Sequence, residues 1–191
     1  MNVIGCHTRR APAEVPLPPP AGRLENPNRE FIRRMMASAR KKRGVMPLDL
    51  GLGLQDLYEM THHFQLVLPD WNDVAPPRPP PLPERMDLWK LLHDHRSVTD
   101  REARWMATII VTGCQGPDHL WSDLGMENRE QLSRLMMHDF FPLASSNTMN
   151  MKWKKFLYRR LCQREGLSLC PSPSCQECSD FPRCFAPEAP S

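Results

Sequence analysis

Four cysteines fall within fifteen residues near the end of the chain, spaced Cys170-x4-Cys175-x2-Cys178-x5-Cys184. Set among prolines and serines, they are poorly placed to fill a core. A C-x2-C pair lets two sulfurs converge on one centre with little backbone distortion, and the outer cysteines can complete a four-sulfur cage. Structural zinc sites more often pair two short cysteine knuckles across a longer loop. The opening C-x4-C-x2-C instead matches the plant-type ferredoxin spacing for an iron–sulfur cluster. Thiolate suits both metals, so a zinc staple stands beside iron–sulfur as the second reading.

The segment before the cysteines adds charge. From Lys152 to Arg164 there are six bases (Lys152, Lys154, Lys155, Arg159, Arg160 and Arg164) and no acid. Four thiolates around a cluster leave net negative charge, which Lys152, Lys154 and Lys155 are placed to stabilise. The same cations attract an oxyanion such as molybdate, although a plain solvated basic face also accounts for them. Cys114-Gln115-Gly116-Pro117-Asp118-His119 puts a thiol and an imidazole across a Gly-Pro turn. A histidine near a helix end is more often a hydrogen-bonded structural residue. Paired with Cys114, His119 becomes a candidate auxiliary ligand or handover group. The same pair also reads as nucleophile and base, which requires a depressed thiol pKa at Cys114. Cys162, eight residues before Cys170, either faces the cluster or is buried.

These groups need a scaffold, and the apolar pattern is helical throughout. Asn26-Pro27 offers an N-cap and a first-turn proline, followed by Phe31, Ile32, Met35 and Met36. That helix ends at Arg40-Lys41-Lys42-Arg43-Gly44, which reads as a solvated terminus with cations in the last turn. Leu54 to Phe64 predicts a short helix with Leu54, Leu57, Tyr58 and His62 on one face. Met86, Trp89, Leu92 and His93 form the next stripe. Thr99-Asp100-Arg101-Glu102 is a capping box opening another helix, which Gly116-Pro117 breaks. Asn128 with Gln131 signals a further start. Asn147 is the expected cap of the last long helix, with Met149, Trp153, Phe156, Leu157 and Leu161 inward. No strand alternation and no repeat appears, so the expected fold is all-α, a helical bundle with a C-terminal Cys-rich metal-cluster loop.

Proline marks the rest. Of 21 prolines, six lie between Pro12 and Pro27 and seven between Pro69 and Pro83. Residues 1–25 read as a disordered Pro-rich tail, 26–68 as an N-terminal helical segment, 69–84 as a Pro-rich linker and 85–191 as the helical core, with the cysteine loop at 170–184. The 191 residues carry a net charge of +3, too small an excess to argue for nucleic acid. No apolar run approaches the ~20 residues of a membrane span. Met1 to His7 lacks the apolar core of a secretory leader, so a reducing, cytoplasmic setting is expected, where dense cysteines read as metal ligands before disulfides. No phosphate-binding glycine loop or dinucleotide fingerprint is present, and a carrier is expected in place of a turnover enzyme.

One stretch is family-specific. Asn147-Thr148-Met149-Asn150-Met151-Lys152-Trp153-Lys154-Lys155-Phe156, then Leu161-Cys162-Gln163-Arg164-Glu165-Gly166, then the four cysteines and Phe185, resembles the NifQ family. So do Asp94-His95-Arg96, His119-Leu120-Trp121-Ser122-Asp123-Leu124-Gly125 and Phe141-Pro142-Leu143-Ala144. The likeness covers roughly residues 85–188. Before residue 69 it rests on Gly51-Leu52-Gly53-Leu54 and His63-Phe64. Ala186 stands where the family often has glycine. The resemblance implies a protein of nitrogen fixation that supplies molybdenum for the nitrogenase iron–molybdenum cofactor. It implies a molybdenum–iron–sulfur cluster on Cys170, Cys175, Cys178 and Cys184, molybdate as metal source, and transfer to the NifEN scaffold together with NifH.

Overall fold

A computed structural model of the chain describes residues 26–70, 83–166 and 181–186. The expected tail over 1–25, most of the expected linker over 69–84, and Cys170, Cys175 and Cys178 lie outside the described residues. The helices are α1 (Pro27–Arg40), α2 (Leu54–His63), α3 (Pro83–Asp94), α4 (Asp100–Gly113), α5 (Leu120–Asp123), α6 (Arg129–Asp139), α7 (Phe141–Ala144), α8 (Trp153–Arg164) and α9 (Phe181–Phe185). No strand occurs among the described residues, as the all-α expectation requires. No helix among them is long and apolar enough to cross a membrane.

The bundle is organised around α4. Ala103, Trp105, Met106, Ala107, Ile109, Ile110 and Val111 are all buried, so this helix is apolar on nearly every side and is enclosed by its neighbours. Helix α3 packs on α4 and α8, α2 packs on α4, α5 bridges α4 and α6, and α1 and α7 pack on α6. Truncating a residue such as Ile109 belongs to the class of core deletions that cost about 2–5 kcal/mol.

Most helix starts follow their sequence signals. The Asn26 side chain accepts from Asn28 N, with Pro27 at the first position. Thr99 Oγ1 accepts from Glu102 N, and Asn128 Oδ1 accepts from Gln131 N at 2.9 Å. Asn147 departs from its expected role. Its side chain closes a loop onto Met151, accepting from Met151 N at 2.8 Å and donating to Met151 O at 2.9 Å. Helix α8 therefore starts five residues later than expected, at Trp153 with Lys152 as its N-cap, and Met149 lies outside it, 46% exposed. Two stripes are also rotated. On α2 the inward residues are Leu57, Met60 and Thr61, while Tyr58 faces outward. On α3 the aliphatic Leu88, Leu91 and Leu92 take the core, so Leu92 alone of the expected stripe is fully buried and Met86 faces outward. Trp89 instead stacks on His93 at 4.6 Å and donates to Thr108 Oγ1.

A polar cluster ties the helix ends together opposite the cysteine-bearing end of α8. The capping-box carboxylate of Glu102 accepts from Asn26 Nδ2 and sits 2.8 Å from His63 Nε2. Asp139, wholly buried, accepts from Asn28 Nδ2 at 2.7 Å and lies 2.8 Å from His138 Nδ1. Its Oδ2 and the Asn28 Oδ1 are buried without partners. Burial pushes the Asp139 carboxyl up, and the Asp139 hydrogen bond pushes His138 up. Both groups hold protons in the folded protein that the unfolded chain releases. The stabilising contribution is therefore complete below the ordinary carboxylate value of 3.8 for Asp139 and below the ordinary imidazole value of 6.5 for His138, and each is lost as pH rises through the raised value. Asp139→Asn keeps an acceptor for Asn28 Nδ2 and puts a donor in place of the orphaned Oδ2. Chemical denaturation between about pH 4 and pH 8 is expected to show a flatter stability profile for this variant, with the variant matching or exceeding the parent at the alkaline end. A variant that loses more stability than the parent toward alkaline pH would contradict this assignment.

Candidate metal centre

Of the four clustered cysteines, Cys184 is within the described residues, and it stands on a short helix where the sequence predicted loop. Phe181 and Phe185, one turn apart on α9, stack at 4.3 Å. Phe185 and Cys184 are partly buried against the hydrophobic core. Lys152 N donates to Cys184 O at 2.9 Å, which fastens α9 to the first turn of α8. Lys152 is the N-cap of α8 and supplies no side-chain cap. The unsatisfied N–H groups and the positive end of the helix dipole thus lie beside the cysteine. A thiolate, and the negative charge of a thiolate-ligated cluster, fit that environment. The donor is soft sulfur and the local field is positive.

The three lysines divide. Lys155 is exposed and Lys152 half-buried, both near the start of α8. Lys154 turns inward. Its ammonium donates to Gly116 O at 2.7 Å and forms a close ion pair with Asp123 Oδ2. The carboxylate of Asp123 also accepts from Asp118 N at 3.1 Å. This charge is neutralised inside the bundle, so Lys154 acts as a lock between α8 and the turn following α4.

Cys114 caps the C-terminus of α4 and is buried. Burial pushes its thiol up to about 12, with the nearby Asp123 charge adding to this and Lys154 opposing it. That is the reverse of what a nucleophilic cysteine requires. His119 caps α5, is half-buried, and lies with its ring parallel to Trp121 at 6.4 Å. Its backbone N–H donates to Asp118 Oδ1. Cys162 is half-buried on α8, ten residues beyond Lys152 and so about 15 Å further along the helix. Among the described residues, no three His, Cys, Asp or Glu side chains converge to hold a metal ion. One Glu-x-x-His pair, Glu59 and His62, sits on α2 beside a shallow surface groove shared with Tyr58, His63 and Arg101. Sequence reasoning missed Asp123 as the partner of Lys154 and missed α9 altogether. Asp123 carries no local signal that separates it from other acids, while Phe181-x3-Phe185 is an i, i+4 aromatic pair legible in retrospect.

The NifQ family model matches residues 31–186, from within α1 through the rest of the bundle to all four clustered cysteines. The chain belongs to the NifQ family. It is 37% identical to Protein NifQ of Azotobacter vinelandii over 181 residues, covering 88% of this chain and 93% of that protein. It is 40% identical to Protein NifQ of Rhodobacter capsulatus over 149 residues (76% and 81%) and 33% identical to that of Klebsiella pneumoniae over 173 residues (83% and 99%). The likeness therefore extends well before residue 69, where the sequence motifs alone were sparse. No solved structure matches at a significant level. NifQ proteins take part in biosynthesis of the nitrogenase iron–molybdenum cofactor, and membership gives this chain that general role.

Proposed function

We propose that this NifQ-family chain is a carrier that supplies molybdenum for the iron–molybdenum cofactor. Its cargo is a molybdenum–iron–sulfur cluster on Cys170, Cys175, Cys178 and Cys184. Molybdenum enters as molybdate, and the cargo passes in the cytoplasm to the NifEN scaffold acting with NifH. The observation that carries this reading is the placement of Cys184. A motif cysteine is held by its own backbone carbonyl at the positive end of α8, in a chain matched to NifQ across the whole motif. Thiolates bind iron and molybdenum, and the helix terminus with Lys152 and Lys155 offsets the charge that such a cargo brings. Nothing in the turn around Cys114 and His119 offers a reactive thiol for turnover chemistry, because the Cys114 proton is held far above neutral pH.

Strictly anaerobic isolation tests the reading. The protein is expected to be brown, to contain iron and molybdenum together, and to give a low-temperature EPR signal in at least one redox state. A colourless protein with one equivalent of zinc would instead make the cysteines a structural staple and the basic helix a contact for an acidic partner.

A further inference from the structure

The last turn of α1 runs into four consecutive cations, Arg40, Lys41, Lys42 and Arg43, and all four are exposed. Many other cations on the described surface are matched. Arg33 and Arg34 pair with Glu30, Lys90 with Asp87, Arg104 with Asp56, and Arg164 with Asp94. No ion pair joins any of the four to an acid among the described residues. Four unmatched like charges repel one another, so a frayed end would be the low-energy way to carry them.

The structure holds them on a fixed turn instead. Lys41 N and Arg43 N both donate to Ser38 O at 3.0 Å, and Lys42 N donates to Ala39 O. Lys42 adopts φ +54°, a left-handed conformation disfavoured for a non-glycine residue. At Gly44, φ is +74°, and a Cβ there would lie 2.6 Å from both Ser122 O and Asp123 O, so only glycine allows this approach. Val45 N then donates to Asp123 O at 3.0 Å, and Ser38 Oγ donates to Gly125 O at 2.6 Å. The turn is thereby riveted to the residue that grips Lys154, two positions after the Lys152 amide that holds Cys184. The charge fan and the motif cysteine share one end of the bundle.

We propose that the Arg40–Arg43 turn is the docking surface for an acidic face of the protein that receives the cargo. The inference rests on the carrier reading above. The four side chains are spread over the last residue of α1 and the turn that follows it, a wider target than one small oxyanion, whereas an extended surface of carboxylates matches it. Duplex nucleic acid is disfavoured by the chain's net charge of +3. A bilayer is disfavoured because, among the described residues, Val45 is the one exposed large apolar residue adjoining the run. Cations of this kind act chiefly on the rate of encounter, by long-range steering.

The test uses the full-length, metal-loaded protein and purified NifEN scaffold, with duplex DNA and phosphatidylserine vesicles as parallel probes. The triple variant Arg40→Glu, Arg43→Glu, Lys41→Glu leaves Lys42 and its backbone conformation in place. Its association rate with the scaffold is expected to fall about tenfold or more at low salt and to lose most of its salt dependence. The glutamine counterpart should fall in between, with helix content, iron and molybdenum unchanged in both. Scaffold binding that ignores the charge reversal, absence of scaffold binding by the parent protein, or preference for DNA or vesicles would overturn the docking assignment. The metal content of the parent protein reads separately on the carrier proposal. A metal-free parent that still binds the scaffold through this turn sinks the cargo and supports the surface. A loaded parent with charge-insensitive binding sinks only the surface.

Discussion

Cys184→Ala is expected to remove most of the molybdenum and iron from anaerobically isolated protein while leaving the fold standing. The two effects separate because the two halves of the residue do different jobs. Its carbonyl oxygen, which the substitution keeps, accepts from Lys152 N and clips α9 to α8. Its sulfur is only partly buried at the margin of the core, so losing it costs on the order of 1 kcal/mol of packing. The thiolate, in contrast, is one quarter of the proposed donor set, and three sulfurs do not close a four-sulfur cage. Metal analysis should therefore fall to a small fraction of the parent while the circular dichroism spectrum and thermal midpoint stay close to it. Cys162→Ala serves as the internal comparison, being a half-buried cysteine on α8. Parent-like loading in Cys162→Ala with loss in Cys184→Ala assigns the ligand. Parent-like loading in Cys184→Ala removes it from the set and with it the reading of the whole motif.

What the sequence made legible, and what it did not, follows from the range of the forces involved. Caps are local, so Asn26, Thr99 and Asn128 could be read from their immediate neighbours, and each accepts the expected backbone N–H. Asn147 failed because the same side chain can satisfy a loop as readily as a helix start. Its bonds to Met151 postpone α8 to Trp153. Stripe orientation failed at Tyr58 and Met86 because a 3.6-residue period tolerates a rotation of one position, and only the neighbouring helix decides which face it covers. The cysteine motif was visible as spacing, but its attachment to the bundle was not. The Lys152–Cys184 bond spans 32 positions of the chain and involves two backbone groups, which carry no residue identity. Lys154 was legible as a cation and illegible as a buried one, because Asp123 lies 31 residues away. The Arg40–Arg43 run was plain in the sequence. What the sequence lacked was its contact with the Ser122–Gly125 turn, which changes a solvated helix end into a rigid display beside the cysteine-bearing helix.

The Asp123–Lys154 pair carries the second large expectation, a loss of about 3–5 kcal/mol on replacing Asp123 by alanine. The side chain of Asp123 is 3% exposed and that of Lys154 is 19% exposed. Removing the carboxylate thus leaves a mostly buried ammonium with Gly116 O as its remaining described partner, and it takes away the acceptor of Asp118 N. Lys154→Met poses the mirror case, a buried carboxylate stripped of its counter-charge. Because each single change leaves one uncompensated ion, the double replacement Asp123→Ala, Lys154→Met is expected to cost less than the sum of the two by more than about 1 kcal/mol in chemical denaturation. Strict additivity, or a single-variant cost under about 1 kcal/mol, would mean that the pair is solvated and locks nothing. The consequence reaches the site. The pair joins the end of α5 to the first turn of α8. The backbone of Asp123 also anchors the basic turn, and Lys152 anchors α9. Loosening it should therefore lower metal retention in Asp123→Ala even though no proposed ligand is changed. Gly116→Ala should lower it for the same reason, since a Cβ at that position would collide with the Asp123 carboxylate. A ligand variant such as Cys184→Ala loses metal at constant stability, whereas these two lose both together. That difference distinguishes a residue that holds the cargo from one that holds the site in place.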